Sequence, residues 1–263
     1  MNYYYSGQGS LLIATRTGAG QPAGFTELGN VPNCEVSIEV AKFEHKESES
    51  GSRAVDLSLV NEKKGTFTMT LESMSPDNLA TAFWGTSTVN AAGVAATATV
   101  LLYLAKSSPL PFPGVSSVVI KDTATGLITY EFGTSLTDVL SLNGWVDQTN
   151  GSIHVFSDAD QTTNGAAANI TNGMSVAVTY NHVANNRLDA FTETSMERWL
   201  RFEGMNTVDG KAVIVDIFKA QLDPMQGYGL INEEIGSFTV SGSMLYDSLQ
   251  TSGSKFFRQI NVS

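Results

Sequence analysis

The sequence predicts a mainly β fold, an antiparallel sandwich or barrel-like domain with one short flanking helix. Thr, Ser, Val, Gly and Asn are plentiful while charged residues reach only 16%, a mix that favours strands and turns over long surface helices. Several segments alternate apolar and polar residues with the period of two that a half-buried strand requires. A single segment carries a full set of helix-boundary signals.

Residues 1–32 read as an arm with little periodicity, punctuated by glycines, in which only Leu11-Leu12-Ile13-Ala14 forms a short strand. Glu35 to Val40 alternates strictly: Val36, Ile38 and Val40 on one side, Glu35, Ser37 and Glu39 on the other. Val55, Leu57 and Leu59 alternate with Asp56 and Ser58 in the same way. A turn is expected at Glu62-Lys63-Lys64-Gly65, followed by Phe67, Met69 and Leu71 alternating with Thr66, Thr68, Thr70 and Glu72. Near the C-terminus, Phe238 and Val240 alternate with Ser237, Thr239, Ser241 and Ser243. These strands share one design, apolar on one side and hydroxyl or carboxylate on the other, with no Lys or Arg among those polar positions.

The helix is predicted at Ser75 to Gly85: Ser75 caps, Pro76 suits the first position, Asp77 complements the dipole and Gly85 stops it. Leu79, Ala82 and Phe83 share a face that packs on the sheet. Between residues 86 and 195 the pattern is weaker. Val118 to Ile120 and Leu127 to Tyr130 form a hairpin, Val176, Val178 and Tyr180 alternate, and 107–114 is a proline-rich connection. Val213 to Phe218 is apolar on both faces, as a central strand should be.

Net charge is −11, and the longest basic run is Lys63-Lys64, so tight binding to nucleic acid is disfavoured; such binding needs clustered cations. Cys34 is the only cysteine, which excludes an intrachain disulfide or thiolate cluster. The start of the chain lacks the basic and apolar regions of a secretory leader, and Ala91 to Ala105 is too short and polar to span a membrane. A soluble protein made and kept reduced in the cytoplasm is expected.

No catalytic, cofactor or metal site is expected. His45, His154 and His182 lack metal-ligand spacing, and no nucleophile elbow is present. Cys34 sits at a strand start without positive neighbours and reads as buried or inert. Asp158-Ala159-Asp160 reads as a turn, since it lacks the Glu and Gly of a calcium loop. Ser6-Gly7-Gln8-Gly9-Ser10 lacks the ending of a phosphate loop. Trp84, Trp145 and Trp199 are scattered and read as core, although a sugar-binding platform remains an alternative.

The segment Phe43, Glu44, His45, Lys46, Glu47, Ser48, Glu49, Ser50, Gly51, Ser52, Arg53 is longer and more charged than an ordinary hairpin connection. Such a loop is either a solvated tip or a contact loop that pairs with a neighbouring subunit. Its Glu44-His45-Lys46-Glu47-Ser48 run resembles the loop of major tail tube proteins from long-tailed, non-contractile bacteriophages. Gly29-Asn30-Val31, the Ser75–Ala80 helix, Trp199 to Asn206 and Glu234 to Phe238 follow in the order of that family. The likeness covers roughly residues 7–85 and 197–247.

That resemblance implies a structural virion protein with a tail tube fold, assembled as stacked hexameric rings that conduct phage DNA into the host. Phe43 to Arg53 would then be the inter-ring loop, and residues 2–20 and 248–263 arm-like contacts. Glu35, Ser37, Glu39, Asp56, Ser58, Thr68, Thr70, Glu72, Thr239 and Ser241 would face the lumen. Implied partners are further copies of the chain, the tail tip, tape measure and terminator proteins, and passing double-stranded DNA that is not gripped. The implied location is the virion tail. Residues 1–263 would form a single tube domain, and the excess at about 107–195 an insertion on the outer surface. Two alternatives stand beside this: the tube of a contractile injection or secretion system, and a carbohydrate-binding β-sandwich.

Overall fold

A computed structural model describes residues 4–49, 51–138, 140, 142–194 and 196–262. The protein is mainly β with antiparallel sheets. Its elements in chain order begin with β1 (Gly7–Thr15), β2 (Thr26–Glu27), β3 (Asn33–Lys46), β4 (Val55–Leu71), α1 (Pro76–Ala82) and β5 (Thr86–Asn90). There follow β6 (Gly93–Leu102), β7 (Ser107–Pro109), β8 (Val115–Asp122), β9 (Thr129–Tyr130), β10 (Phe132–Gly133), β11 (Gly144–Asp147) and β12 (Ser152–Val155). The remainder are α2 (Asp158–Asn164), β13 (Met174–His182), β14 (Asn185–Asp189), β15 (Met196–Asn206), β16 (Lys211–Leu222), β17 (Phe238–Met244) and β18 (Phe257–Asn261).

The chain divides into two compact units, one of residues 1–87 with 188–263, the other of residues 88–187. The segment 107–195 singled out in the sequence falls largely in the second unit, which begins earlier and ends sooner.

The first unit is built on one sheet of order β2-β1-β15-β16-β17-β4-β3, with β18 also pairing β16. Residues 7–15 and 257–261, within the segments 2–20 and 248–263 expected as arm-like contacts, are strands of this sheet, and the short strand expected at Leu11–Ala14 is part of β1; residues 1–3 and 263 lie outside the described residues. β16 is central, as its two-sided apolar sequence predicted. The core gathers Leu11, Phe67, Met69, Leu71, Leu200, Ile217, Leu222, Phe238 and Val240, all buried. Burial of large side chains such as these contributes about 1.5–3 kcal/mol each.

The helix forms where its signals place it. Ser75 Oγ accepts a hydrogen bond from Asn78 N at 3.2 Å, and Ala82 is fully buried against the core with Leu79 beside it. Asn78 Nδ2 ties the helix to the sheet by donating to the carbonyls of Leu28 and Ser73, 2.9 Å each.

The second unit holds two four-stranded sheets, β10-β11-β12-β7 and β6-β13-β8-β9. Both contribute to one core that includes Leu102, Ile120, Val146, Ile153, Ile170, Val176 and Tyr180. The hairpin expected at 118–130 is present as β8 and β9. A second helix, α2, lies where a turn at Asp158-Ala159-Asp160 was expected. Ser157 caps it and Gly165 ends it in the left-handed conformation, φ 75°.

Candidate functional site

The polar face anticipated in the sequence is real over three strands. Pairing registers set Glu35, Thr68 and Ser241 in one row, Ser37, Thr66 and Ser243 in the next, and Asn33, Thr70 and Thr239 in a third. Thr70 and Thr239 hydroxyls lie 3.3 Å apart. The intervening rows put Cys34, Met69 and Val240, then Val36, Phe67 and Gly242, on the opposite face. Glu39 extends the polar set along β3, and Glu72 lies one residue beyond β4, where its carboxylate accepts from Asn30 Nδ2.

The polar face is not free of lysine. Glu62-Lys63-Lys64-Gly65 is no turn but the middle of a continuous strand of 17 residues, and Lys64 is the direct partner of Glu39. Gly65 marks no turn; its role is steric. A Cβ there would sit 3.1 Å from Met244 Cε, so the missing side chain lets Met244 pack close.

Ser58 does not join the other polar residues. The β3–β4 register shifts between Ala41 and Lys42, where Glu62 and Val60 are successive partners and Asn61 is the extra residue. Beyond that bulge, Leu59 pairs with Phe43 and Leu57 with His45, so apolar side chains continue the face that carries Glu35 and Glu39. Ser58 pairs with Glu44 on the other side. Asp56 falls at a second register shift, with its carboxylate 2.7 Å from His45 Nδ1.

The charged connection is shorter than expected. Phe43, Glu44, His45 and Lys46 belong to β3, and the loop proper spans 47–54, with Glu47 N donating to Ala54 O at 2.9 Å. Glu47 organises its tip: its carboxylate accepts from Glu49 N and from Ser52 Oγ, both at 2.8 Å. Ser48, Glu49 and Arg53 are exposed, Arg53 with φ 51°; Ser50 lies outside the described residues.

β3 is the terminal strand of its sheet, and every residue of it is exposed. Val36, Ile38 and Val40, expected on the apolar side, pair with Phe67, Gly65 and Lys63 and are exposed, Ile38 65%. Farther out, Phe43, Val55, Leu57, Leu59 and Val60 are exposed on both faces of the two-stranded ribbon. A ribbon with apolar residues on both sides and an open hydrogen-bonding edge is a template for pairing with another chain.

The other candidates resolve as local structure. Cys34 is exposed rather than buried. Trp199 packs edge-on against Phe218, and Trp84 Nε1 donates to Leu222 O at 3.1 Å from the margin of the core. Trp145 has one face covered by the His154 ring, with centroids 3.9 Å apart. His154 Nδ1 lies 2.5 Å from Ser107 Oγ, and His182 stacks on Phe112. Among the described residues, no three His, Cys, Asp or Glu side chains form a group able to hold a metal, and no helix is long and apolar enough to cross a membrane.

A family model described as Protein of unknown function UCP028589 matches residues 4–260. No curated protein matches the chain.

Proposed function

We propose that this chain, which belongs to the family described as Protein of unknown function UCP028589, is a self-assembling structural subunit of a bacteriophage tail tube. The observation that carries the proposal is the open edge of β3, 14 residues long, on a sheet whose polar face presents rows of hydroxyls and carboxylates. An exposed apolar edge of that length is an aggregation hazard in a solitary protein. Pairing it with a neighbouring copy removes the hazard, and closed rings do so for every subunit at once.

Ring closure would turn the face bearing Glu35, Ser37, Glu39, Thr68, Thr70, Thr239 and Ser241 toward a shared lumen. A hydrated wall of hydroxyls and carboxylates repels phosphates and offers no cluster of cations to hold them, so double-stranded DNA passes without being gripped. Lys64 beside Glu39 offsets part of that charge at one level of the wall. The loop at 47–54 stands at the end of the ribbon and supplies contacts between rings, with tail tip, tape measure and terminator proteins engaging the ends of the tube.

Electron microscopy of the purified full chain in negative stain, with sedimentation at rising concentration, tests the reading. Hollow tubes or rings of uniform width support it. A monomer that stays monodisperse up to millimolar concentration overturns it.

A further inference from the structure

An apolar groove opens where β17 ends. Ile38, Val40, Gly65, Met244, Phe256 and Phe257 line it, and Lys63, the pairing partner of Val40, stands exposed at its rim. Lys63 has no ion-pair partner among the described residues. The groove is bounded by unpaired backbone on two sides, since β4 outruns β17 beyond Gly65 and β18 pairs only with β16.

A segment of complementary character lies at the other end of the same strand. Leu230-Ile231-Asn232-Glu233-Glu234-Ile235 precedes β17, with Ile231 96% exposed and Leu230 and Ile235 nearly as open. Its two carboxylates also lack an ion-pair partner among the described residues. The segment is anchored near α1, where Tyr228 packs edge-on against Phe83 and Gly236 approaches Met74. β17 separates segment from groove by roughly 20 Å at about 3.3 Å per residue, so the two do not meet within one chain.

We infer that the acidic apolar segment 230–235 of one copy docks in the lysine-rimmed groove of the next. Apolar side chains fill an apolar groove, and the two glutamates meet Lys63. The two surfaces differ, so the contact is head-to-tail, and such a contact propagates along the direction of β17 until a rotation closes it. It does not use the tip of the 47–54 loop. The inference rests on the self-assembly reading above and adds a second, chemically distinct contact to it.

Charge reversal tests it on the full chain. Lys63→Glu, and separately Glu233→Lys with Glu234→Lys, should each weaken assembly by about tenfold or more in sedimentation velocity. Combining all three should restore it. Ile231→Asp, at a site open in the monomer, should weaken assembly with an unchanged circular dichroism spectrum. The combined variant retains any local damage that Lys63→Glu does to the strand, so its recovery separates docking from that damage. If wild-type chains assemble and the reversals or Ile231→Asp leave assembly unchanged, this contact is wrong while the self-assembly reading stands. If the reversals weaken assembly and the combination fails to recover, charge pairing is overturned. A wild-type chain that never assembles overturns the reading beneath it.

Discussion

Arg258 Nη2 donates a hydrogen bond of 2.8 Å to Asp216 Oδ2, and through it the C-terminal strand β18 is fastened to the centre of the sheet. The carboxylate is 1% exposed and also accepts from Arg201 Nη1 at 2.9 Å and Trp199 Nε1 at 3.2 Å. One buried acid thus gathers three donors from β15 and β18.

Replacing Asp216 by Ala is therefore expected to cost roughly 3 kcal/mol, because it strands a buried indole N–H and a partly buried guanidinium together. Arg258→Ala should cost about 1 kcal/mol or less, since its side chain is 53% exposed and solvent screens the pair. Hydrogen exchange separates the two outcomes. Arg258→Ala should raise exchange in residues 257–261 alone, whereas Asp216→Ala should raise it in β15, β16 and β18 together.

Gly242 marks a second tight point. A Cβ at that position would lie 2.3 Å from Gln221 O and 2.5 Å from Phe67 Cζ. Gly242→Ala should destabilise the first unit by about 2 kcal/mol, seen as a lower urea midpoint at constant slope. Adding Phe67→Leu should recover none of the loss from the Gln221 carbonyl, which is backbone and cannot move aside, and removes core volume besides.

Much of this sheet was legible because alternation reports burial directly. Phe67, Met69 and Leu71 are buried as their spacing required, and the rows of Thr and Ser follow from the same period. The period says nothing about where a sheet ends, so Ile38 has the pattern of a core residue and the exposure of an edge residue. Nor does it show a bulge: one extra residue at Asn61 carried Leu57 and Leu59 to the face reserved for Asp56 and Ser58. The second helix was signalled by Ser157 followed by Asp158, Asp160 and then Gly165, the same kind of boundary code that identified α1. Its short length and lack of an apolar stripe hid it. The groove beneath Met244 joins residues from 38 to 257, and only the folded chain brings them together.

The connecting loop yields a prediction that separates two glutamates. Glu47 holds the tip through Glu49 N and Ser52 Oγ, whereas Glu49 is exposed. Glu49→Lys should leave the loop conformation intact and, on the proposed function, reduce ring stacking. Glu47→Lys should disturb the loop itself, shifting the amide resonances of Glu49 in the monomer. Normal tubes from the Glu49→Lys chain would remove the loop from the list of stacking contacts.

In the second unit, Asp122 offers a test against acid. Its carboxylate accepts from Thr125 N at 2.6 Å, from Thr125 Oγ1 at 2.8 Å and from Ile128 N at 2.8 Å. Backbone donors at Thr125 and Ile128 outweigh burial and hold its pKa down at about 2, against an ordinary 3.8. A depressed carboxyl stabilises the fold in full above the unfolded value, and that contribution fades as pH falls from there through the folded value. The turn between β8 and β9 should therefore keep its structure at pH 3 and lose it near pH 2. Asp122→Asn should loosen the turn already at neutral pH, because an amide nitrogen would face a backbone donor, and should remove the acid transition. Following the Thr125 and Ile128 amide signals by NMR from pH 7 downward reads both effects; a turn that dissolves near pH 4 in the wild-type chain would contradict the assignment of those bonds.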